Sequence, residues 1–237
     1  MDNSTIIQIK NLKKDFPIGK GVFTALQNIT ISIKTGEFLG LIGPSGSGKT
    51  TLLNIIGSLD IGTEGDVIVL DKNVSTLSPI EAAKLRSVSL GFIFQTYNLL
   101  PVYTVFENIE LPLLLLKQSQ AERKKAVNKA LEWVGLEDKI NSRPAQLSGG
   151  ECQRVSIARA MVKNPKIVLA DEPTANLDAE NSHNILKTME FLNSELKTTF
   201  VFATHDEKVI QYLHRKISLV DGQVVNDEKV TNNTTGG

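Results

Sequence analysis

Phe38-Leu39-Gly40-Leu41-Ile42-Gly43-Pro44-Ser45-Gly46-Ser47-Gly48-Lys49-Thr50-Thr51 is a short apolar run leading straight into a full match to GxxxxGK(S/T). The run has the length and composition of a buried strand. A strand that stops at Gly43 and resumes as a helix near Gly48 leaves a loop whose backbone N–H groups point inward, and glycine lets such a loop curl closely around phosphate oxygens. The loop is built to hold a polyphosphate. Lys49 is placed to reach the β- and γ-phosphates and the Thr50 hydroxyl to bind Mg2+, while the positive end of the new helix favours the anion. A glycine-rich turn of no consequence would need all eight motif positions to agree by accident.

With 237 residues, 41% of them apolar, the chain has material for one large domain or two small ones and for a core that needs no staples. Its 26 basic and 26 acidic side chains cancel, which argues against a general footprint for nucleic acid. Met1-Asp2-Asn3-Ser4-Thr5 lacks the basic start and apolar run of a signal peptide, and the lone Cys152 cannot form an internal disulfide. A cytoplasmic location is expected. The uncharged stretch from 87 to 106 superficially invites a membrane span, but Gln95, Asn98 and Pro101 interrupt it. It reads as protein interior and partner-facing surface.

Alternating segments predict an α/β domain. Ile6, Ile7 and Ile9 open β structure, Ile29, Ile31 and Ile33 alternate with polar residues, and Phe16 falls in the loop between them. Leu52, Leu53, Ile55 and Ile56 give a helix its stripe, and residues 65–70 form a strand entering a turn at Asp71. Ser119 and Glu122 make a capping box for a helix carrying Val127, Ala130, Leu131 and Val134, which Gly135 ends. Strands are expected at 167–170 and 199–203 around a helix centred on 185–196, followed by a hairpin turning at Asp221-Gly222.

The strand at 167–170 delivers two carboxylates at its C-terminal end. Asp171 is placed to hold a Mg2+ shell through water, and Glu172 to accept a proton from a water aimed at the γ-phosphate. Leu147-Ser148-Gly149-Gly150-Glu151 contains a second capping box, Ser148 with Glu151, opening a helix through Val155, Ala158 and Val162. Paired glycines weaken a first helical turn. What they offer instead is bare backbone N–H at a helix N-terminus, a second anion site.

This last stretch resembles the signature motif of ABC ATPases, LSGGQ, here in its LSGGE form, and the resemblance covers roughly residues 5–225. It implies a P-loop NTPase with a RecA-like core, an N-terminal antiparallel β subdomain and an inserted α-helical subdomain. The core and β subdomain would take residues 5–95 and 156–225, the helical part 96–155, and a loose polar tail 226–237. By the family's pattern Gln95 is the Q-loop glutamine touching Mg2+, and His205 the switch histidine at the γ-phosphate. Asp178, in Ala175-Asn176-Leu177-Asp178, belongs to the loop crossing a dimer interface, and Phe16 takes the place of the adenine-stacking aromatic.

The resemblance implies two copies bound head to tail with ATP and Mg2+, Ser148, Gly149 and Gly150 completing the site of the other copy. It also implies membrane permease subunits on separate chains, docking near Leu99, Leu100, Val102 and Tyr103 at the cytoplasmic face of the inner membrane. A core role suits half of those residues equally well. Residues 53–60 (LNIIGSLD) and 91–112 (GFIFQTYNLLPVYTVFENIELP) are similar to the group containing LolD, MacB and FtsE, and the layout resembles the stand-alone LolD type. Substrate extraction or export and an FtsE-like signalling role without transport both stay open; the cargo is not legible.

Overall fold

A computed structural model of the chain describes residues 4–230. β1 (Thr5–Ile18) and β2 (Gly21–Lys34) form a long antiparallel hairpin in which Ile7, Ile9, Leu12, Ile29 and Ile33 are buried. Phe16 lies inside β1, opposite Phe23, and not in a loop as expected. Register shifts between Ile9 and Asp15 break the period-two pattern, yet the ladder resumes beyond them. β3 (Phe38–Ile42) leads through the glycine loop into α1 (Lys49–Ile56), and β4 (Glu64–Val69) pairs with β1 and with β5 (Lys72–Asn73). The first sheet has the order β2-β1-β4-β5.

After α2 (Pro79–Ser89) and β6 (Leu90–Ile93) come three helices, α3 (Val105–Leu115), α4 (Gln120–Val134) and α5 (Gly149–Met161). Ser78, Thr104, Ser119 and Ser148 each start one of α2 to α5 with a reciprocal capping box to a glutamate three residues on. Each such cap is worth about 1 kcal/mol. Gly135 ends α4 at φ 62°, as its position suggested. The boundary expected at residue 155 falls inside α5, so a continuous helix joins the helical part to the core.

β7 (Ile167–Asp171), α6 (Ala179–Leu196), β8 (Thr199–Thr204), α7 (Glu207–Ile210), β9 (Arg215–Val220) and β10 (Gln223–Lys229) follow among the described residues. The second sheet runs β10-β9-β3-β8-β7-β6 and is parallel except for β10. Residues 226–229, expected in the loose tail, belong to β10 and pair with β9; residues 231–237 lie outside the described part.

The central strands are apolar on both faces because both are covered. On one face Leu39, Leu41, Val201 and Ala203 meet α1 and the first sheet. On the other, Phe38, Phe200 and Phe202 pack under α3 to α6, with Phe38 and Phe202 ring centroids 4.7 Å apart. Removing one such buried ring costs about 3–5 kcal/mol. β3, β7 and β8 are thereby held in register, and their C-terminal ends carry the candidate site.

Candidate nucleotide site

The loop after β3 is shaped by close contacts with the far end of the chain. Gly43 sits at φ 150°, where a Cβ would stand 2.1 Å from the Leu219 carbonyl oxygen; Gly48, at φ 99°, caps α1, where a Cβ would stand 2.7 Å from Ala25 O. The turn between β9 and β10 clasps the same loop, Gly222 N donating to Ser47 O at 3.2 Å, and is itself anchored on β2, where Gln27 N donates to Gly222 O at 2.8 Å. Lys49 is only 7% exposed and donates to the Gly43 and Pro44 carbonyls at 2.8 Å each. Burial pushes its ammonium down from the usual lysine range, with Glu172 and Asp171 opposing the shift. The lysine braces the loop whose ligand it is placed to meet.

Thr50, one residue on, donates from Oγ1 to Asp171 Oδ1 at 3.1 Å. Burial raises the Asp171 carboxyl above its ordinary range, Glu172 adding to the effect while Thr50 and Lys49 oppose it. A partly buried carboxylate beside a hydroxyl is an arrangement that a hard cation relieves. Among the described residues no three His, Cys, Asp or Glu are grouped so as to hold a metal ion by themselves. Mg2+ held here by Thr50, Asp171 and the Gln95 side chain would therefore complete its shell from phosphate oxygens and water, as that ion prefers. The residues fit the group.

Glu172 lies just past β7 with a left-handed φ of 44°, its N–H held by Ala203 O at 2.9 Å. Its Oε2 accepts from Thr204 Oγ1 at 3.0 Å and its Oε1 stands 2.5 Å from His205 Nδ1. The carboxylate is mostly covered and the imidazole mostly open. Phosphate loop, Asp171, Glu172 and His205 thus share the C-terminal edge of β3, β7 and β8, where parallel sheets bind ligands.

These groups line one cavity of about 420 Å³ with Ser45, Gly46, Gly48, Lys49, Thr50, Thr51, Gln95 and Phe16. Phe23 and Ala25 line it too and were not singled out in the sequence, and so does Ala175, which the sequence placed with Asp178 in the loop expected at a dimer interface. Phe23 is half exposed, and cross-strand pairing with Phe16 was the signal for it. Lys14 Nζ lies 4.8 Å from the Phe16 ring centroid, so a cation covers part of that π-surface. Gly43, Pro44 and Ser47 build the loop's frame behind the lining.

Besides these three, four expected residues lie away from this cavity. Ser148 accepts from Glu151 N as the cap of α5, and Gly149 starts that helix. Gly150 is buried against α6, where a Cβ would meet Asn181 Oδ1 at 2.4 Å. Asp178 caps α6 through Asn181 N at 2.8 Å and also accepts from the Asn181 amide at 2.7 Å. The Asn181 side chain thus bonds to Asp178 and lies against Gly150.

The family described as ABC transporter matches residues 26–175, more than half of the sequence. The chain belongs to that family. It is an ATPase of the ABC transporter kind, 44% identical over 229 residues to the ABC transporter ATP-binding protein MJ0796 of Methanocaldococcus jannaschii, covering 95% of this chain and 97% of that one. It is 42% identical to the lipoprotein-releasing system ATP-binding protein LolD of Francisella tularensis, over 94% of this chain and 96% of the relative. It is 43% identical to the macrolide export ATP-binding/permease protein MacB of Rhodopirellula baltica, 94% of this chain matching 33% of that protein. The solved dimer of MJ0796 in a post-hydrolysis state with ADP and Pi superposes with a TM-score of 0.88 at 43% identity, covering 95% of this ABC chain and 99% of its own.

Proposed function

We propose that this chain supplies the energy of a membrane complex, two copies closing head to tail with each ATP between the phosphate loop of one and residues 148–150 of the other. One observation carries this reading. Lys49, Asp171, Glu172 and His205 converge on a single cavity, while the signature glycines of the same chain stand outside its lining at the start of α5. A second chain is the natural source of the missing N–H donors, and the dimeric ADP-bound MJ0796 supports it.

Backbone N–H groups of residues 45–50 and Lys49 would hold the phosphates, and Phe16 with Phe23 the adenine face. Mg2+, held by Thr50, Asp171 and Gln95, would neutralise developing phosphate charge. Glu172, aimed by Thr204 and His205, takes the proton of a water as it attacks the γ-phosphorus and the bond to the bridging oxygen breaks. With a proton on each ring nitrogen, His205 would also donate from Nε2 to the departing phosphate. Closure follows ATP and opening follows loss of phosphate, so chemistry becomes motion.

Among the described residues no helix is long and apolar enough to cross a membrane. The partner surface we assign lies around Gln95: after it Leu100, Val102 and Tyr103 are exposed and Leu99 packs on the core, and the strand before it leads to an apolar groove of about 720 Å³ between Phe92, Phe94 and Leu115. It fits an apolar cytoplasmic segment of the membrane subunit, at the cytoplasmic face. Relatives named for lipoprotein release and macrolide export favour a partner that extracts or exports. Gel filtration of Glu172→Gln with ATP tests the core of the reading: a dimer peak is expected, and a monomer at every ATP concentration rules it out.

A further inference from the structure

One buried side chain ties the first turns of α5 to the peptide that follows the catalytic-base candidate. Gln153, one helical turn beyond Gly149, is fully buried. Its Nε2 donates to the Pro173 carbonyl at 2.6 Å, and its Oε1 is buried with no hydrogen-bond partner. As packing alone this is a poor choice. A half-satisfied amide inside a core costs free energy that methionine or leucine of similar volume would not incur.

What the amide does reach is the segment directly after Glu172. Glu172 is held in left-handed backbone, which a residue with a Cβ keeps only when its surroundings impose it. Three bonds impose it here: Glu172 N to Ala203 O at 2.9 Å, Ala175 N to Glu172 O at 3.3 Å, and the Gln153 amide on the next carbonyl. Two of the three come from within the segment or from the sheet. Gln153 alone brings in α5, the helix whose N-terminus carries Ser148, Gly149 and Gly150.

We infer that Gln153 is a positioning residue that fixes the Glu172 backbone according to the state of the signature end of α5. The inference rests on the head-to-tail reading above. In that arrangement residues 148–150 engage the ATP of one site while Glu172 acts on the ATP of the other. Gln153 then makes the base of each site respond to the occupancy of its neighbour, and turnover becomes cooperative in ATP.

Two substitutions test this. Gln153→Met keeps the length and removes the donor; Gln153→Glu keeps the shape and sets acceptor against acceptor. The expected result for Gln153→Met, in which removal of the unpaired Oε1 offsets the lost donor, is a melting temperature and an ATP affinity of the isolated monomer near those of the unaltered chain; Gln153→Glu, which buries a carboxylate, should melt lower but keep that affinity. kcat should fall about tenfold, the usual scale for leaving a buried carbonyl unpaired, with KM little changed and the Hill coefficient moving towards 1. In a Glu172→Gln background the same substitutions should add no further loss, because the effect runs through Glu172. Unchanged kcat and Hill coefficient overturn the inference, as does a full additive loss in that background. So does a joint loss of melting temperature and monomer affinity in both variants, which is the mark of packing alone. Glu172→Gln by itself keeps the two readings apart: if it stays monomeric with ATP, the head-to-tail arrangement fails and the coupling with it, whereas a dimer with additive Gln153 effects sinks only the coupling.

Discussion

Glu172 Oε1 and His205 Nδ1 stand 2.5 Å apart although 33 positions separate the two residues in sequence. Adjacent parallel strands β7 and β8 bring them together, and Thr204 fixes the second carboxylate oxygen at 3.0 Å. Both carboxylate oxygens of the proposed base are thus held by the end of one strand before a nucleotide arrives, each with a lone pair left to take a proton.

Glu172→Gln keeps an acceptor oxygen and the side chain's shape but cannot take a proton. Nucleotide affinity should stay within a few-fold, while steady-state phosphate release slows about 10²- to 10⁴-fold, the worth of a general base. Hydrolysis at the unaltered rate would mean that another group, or water alone, accepts the proton.

Phe16 and Phe23 face each other across the hairpin and both line the cavity. Phe16→Ala and Phe23→Ala should each weaken ATP by about 1 kcal/mol, roughly fivefold, and Phe16→Tyr much less, since tyrosine keeps the π-face. Titration with a fluorescent ATP analogue reads the difference. Equal affinity for all three variants would put the adenine elsewhere.

Leu100 and Tyr103 are exposed, while Leu99 packs against the core, so a charge at the first two positions spares the fold. Leu100→Glu or Tyr103→Glu should leave ATP binding in solution intact and release the chain from the membrane fraction, because an unpaired carboxylate buried in an interface is costly. Retention of both variants on membranes would move the docking surface away from these residues.

Lys163 Nζ donates to the Arg86 carbonyl at 2.6 Å at the edge of the apolar groove, and burial brings its pKa down from 10.5 to about 8. Below pH 8 folded and unfolded chains both bind the proton. Between about 8 and 10.5 only the unfolded chain does, so this group's contribution to stability rises with pH across that window, by about 3 kcal/mol at most. Urea unfolding of the unaltered chain and of Lys163→Met at pH 7.5 and 9.5 should show the difference between them shifting in favour of lysine at the higher pH. A constant difference would place the ammonium in water.

Much of this was legible where local chemistry and strand context coincide. The loop at 43–50 and the acids at 171 and 172 follow uniformly apolar strands, and a strand buried on both faces leaves few alternatives for what comes at its end. α2 was missed because only Ala82 and Leu85 of its residues are buried, so its stripe is weak although Ser78 and Glu81 cap it. α3 is apolar nearly all round and contains Pro112, which hides its period. Phe16 was put in a loop because polar residues at 13–15 interrupt the alternation, and Phe23 is connected to the site only by pairing across the hairpin. Gln153 gave no local signal at all: its role depends on Pro173, 20 positions away.

The clasp of residues 219–222 on the phosphate loop sets an order of events during synthesis. Residues 43–50 leave the ribosome long before their final neighbours Leu219 and Gly222, which press on Gly43 and hold Ser47. A nascent chain therefore carries the complete phosphate motif without the surface that shapes it, and we predict that nucleotide capture begins only once 219–222 have emerged. A chain cut after residue 213 that still bound ATP-agarose would refute this. Until that late strand pairs with β3, ATP cannot stabilise the newborn domain, and its early survival depends on apolar packing and on chaperones alone.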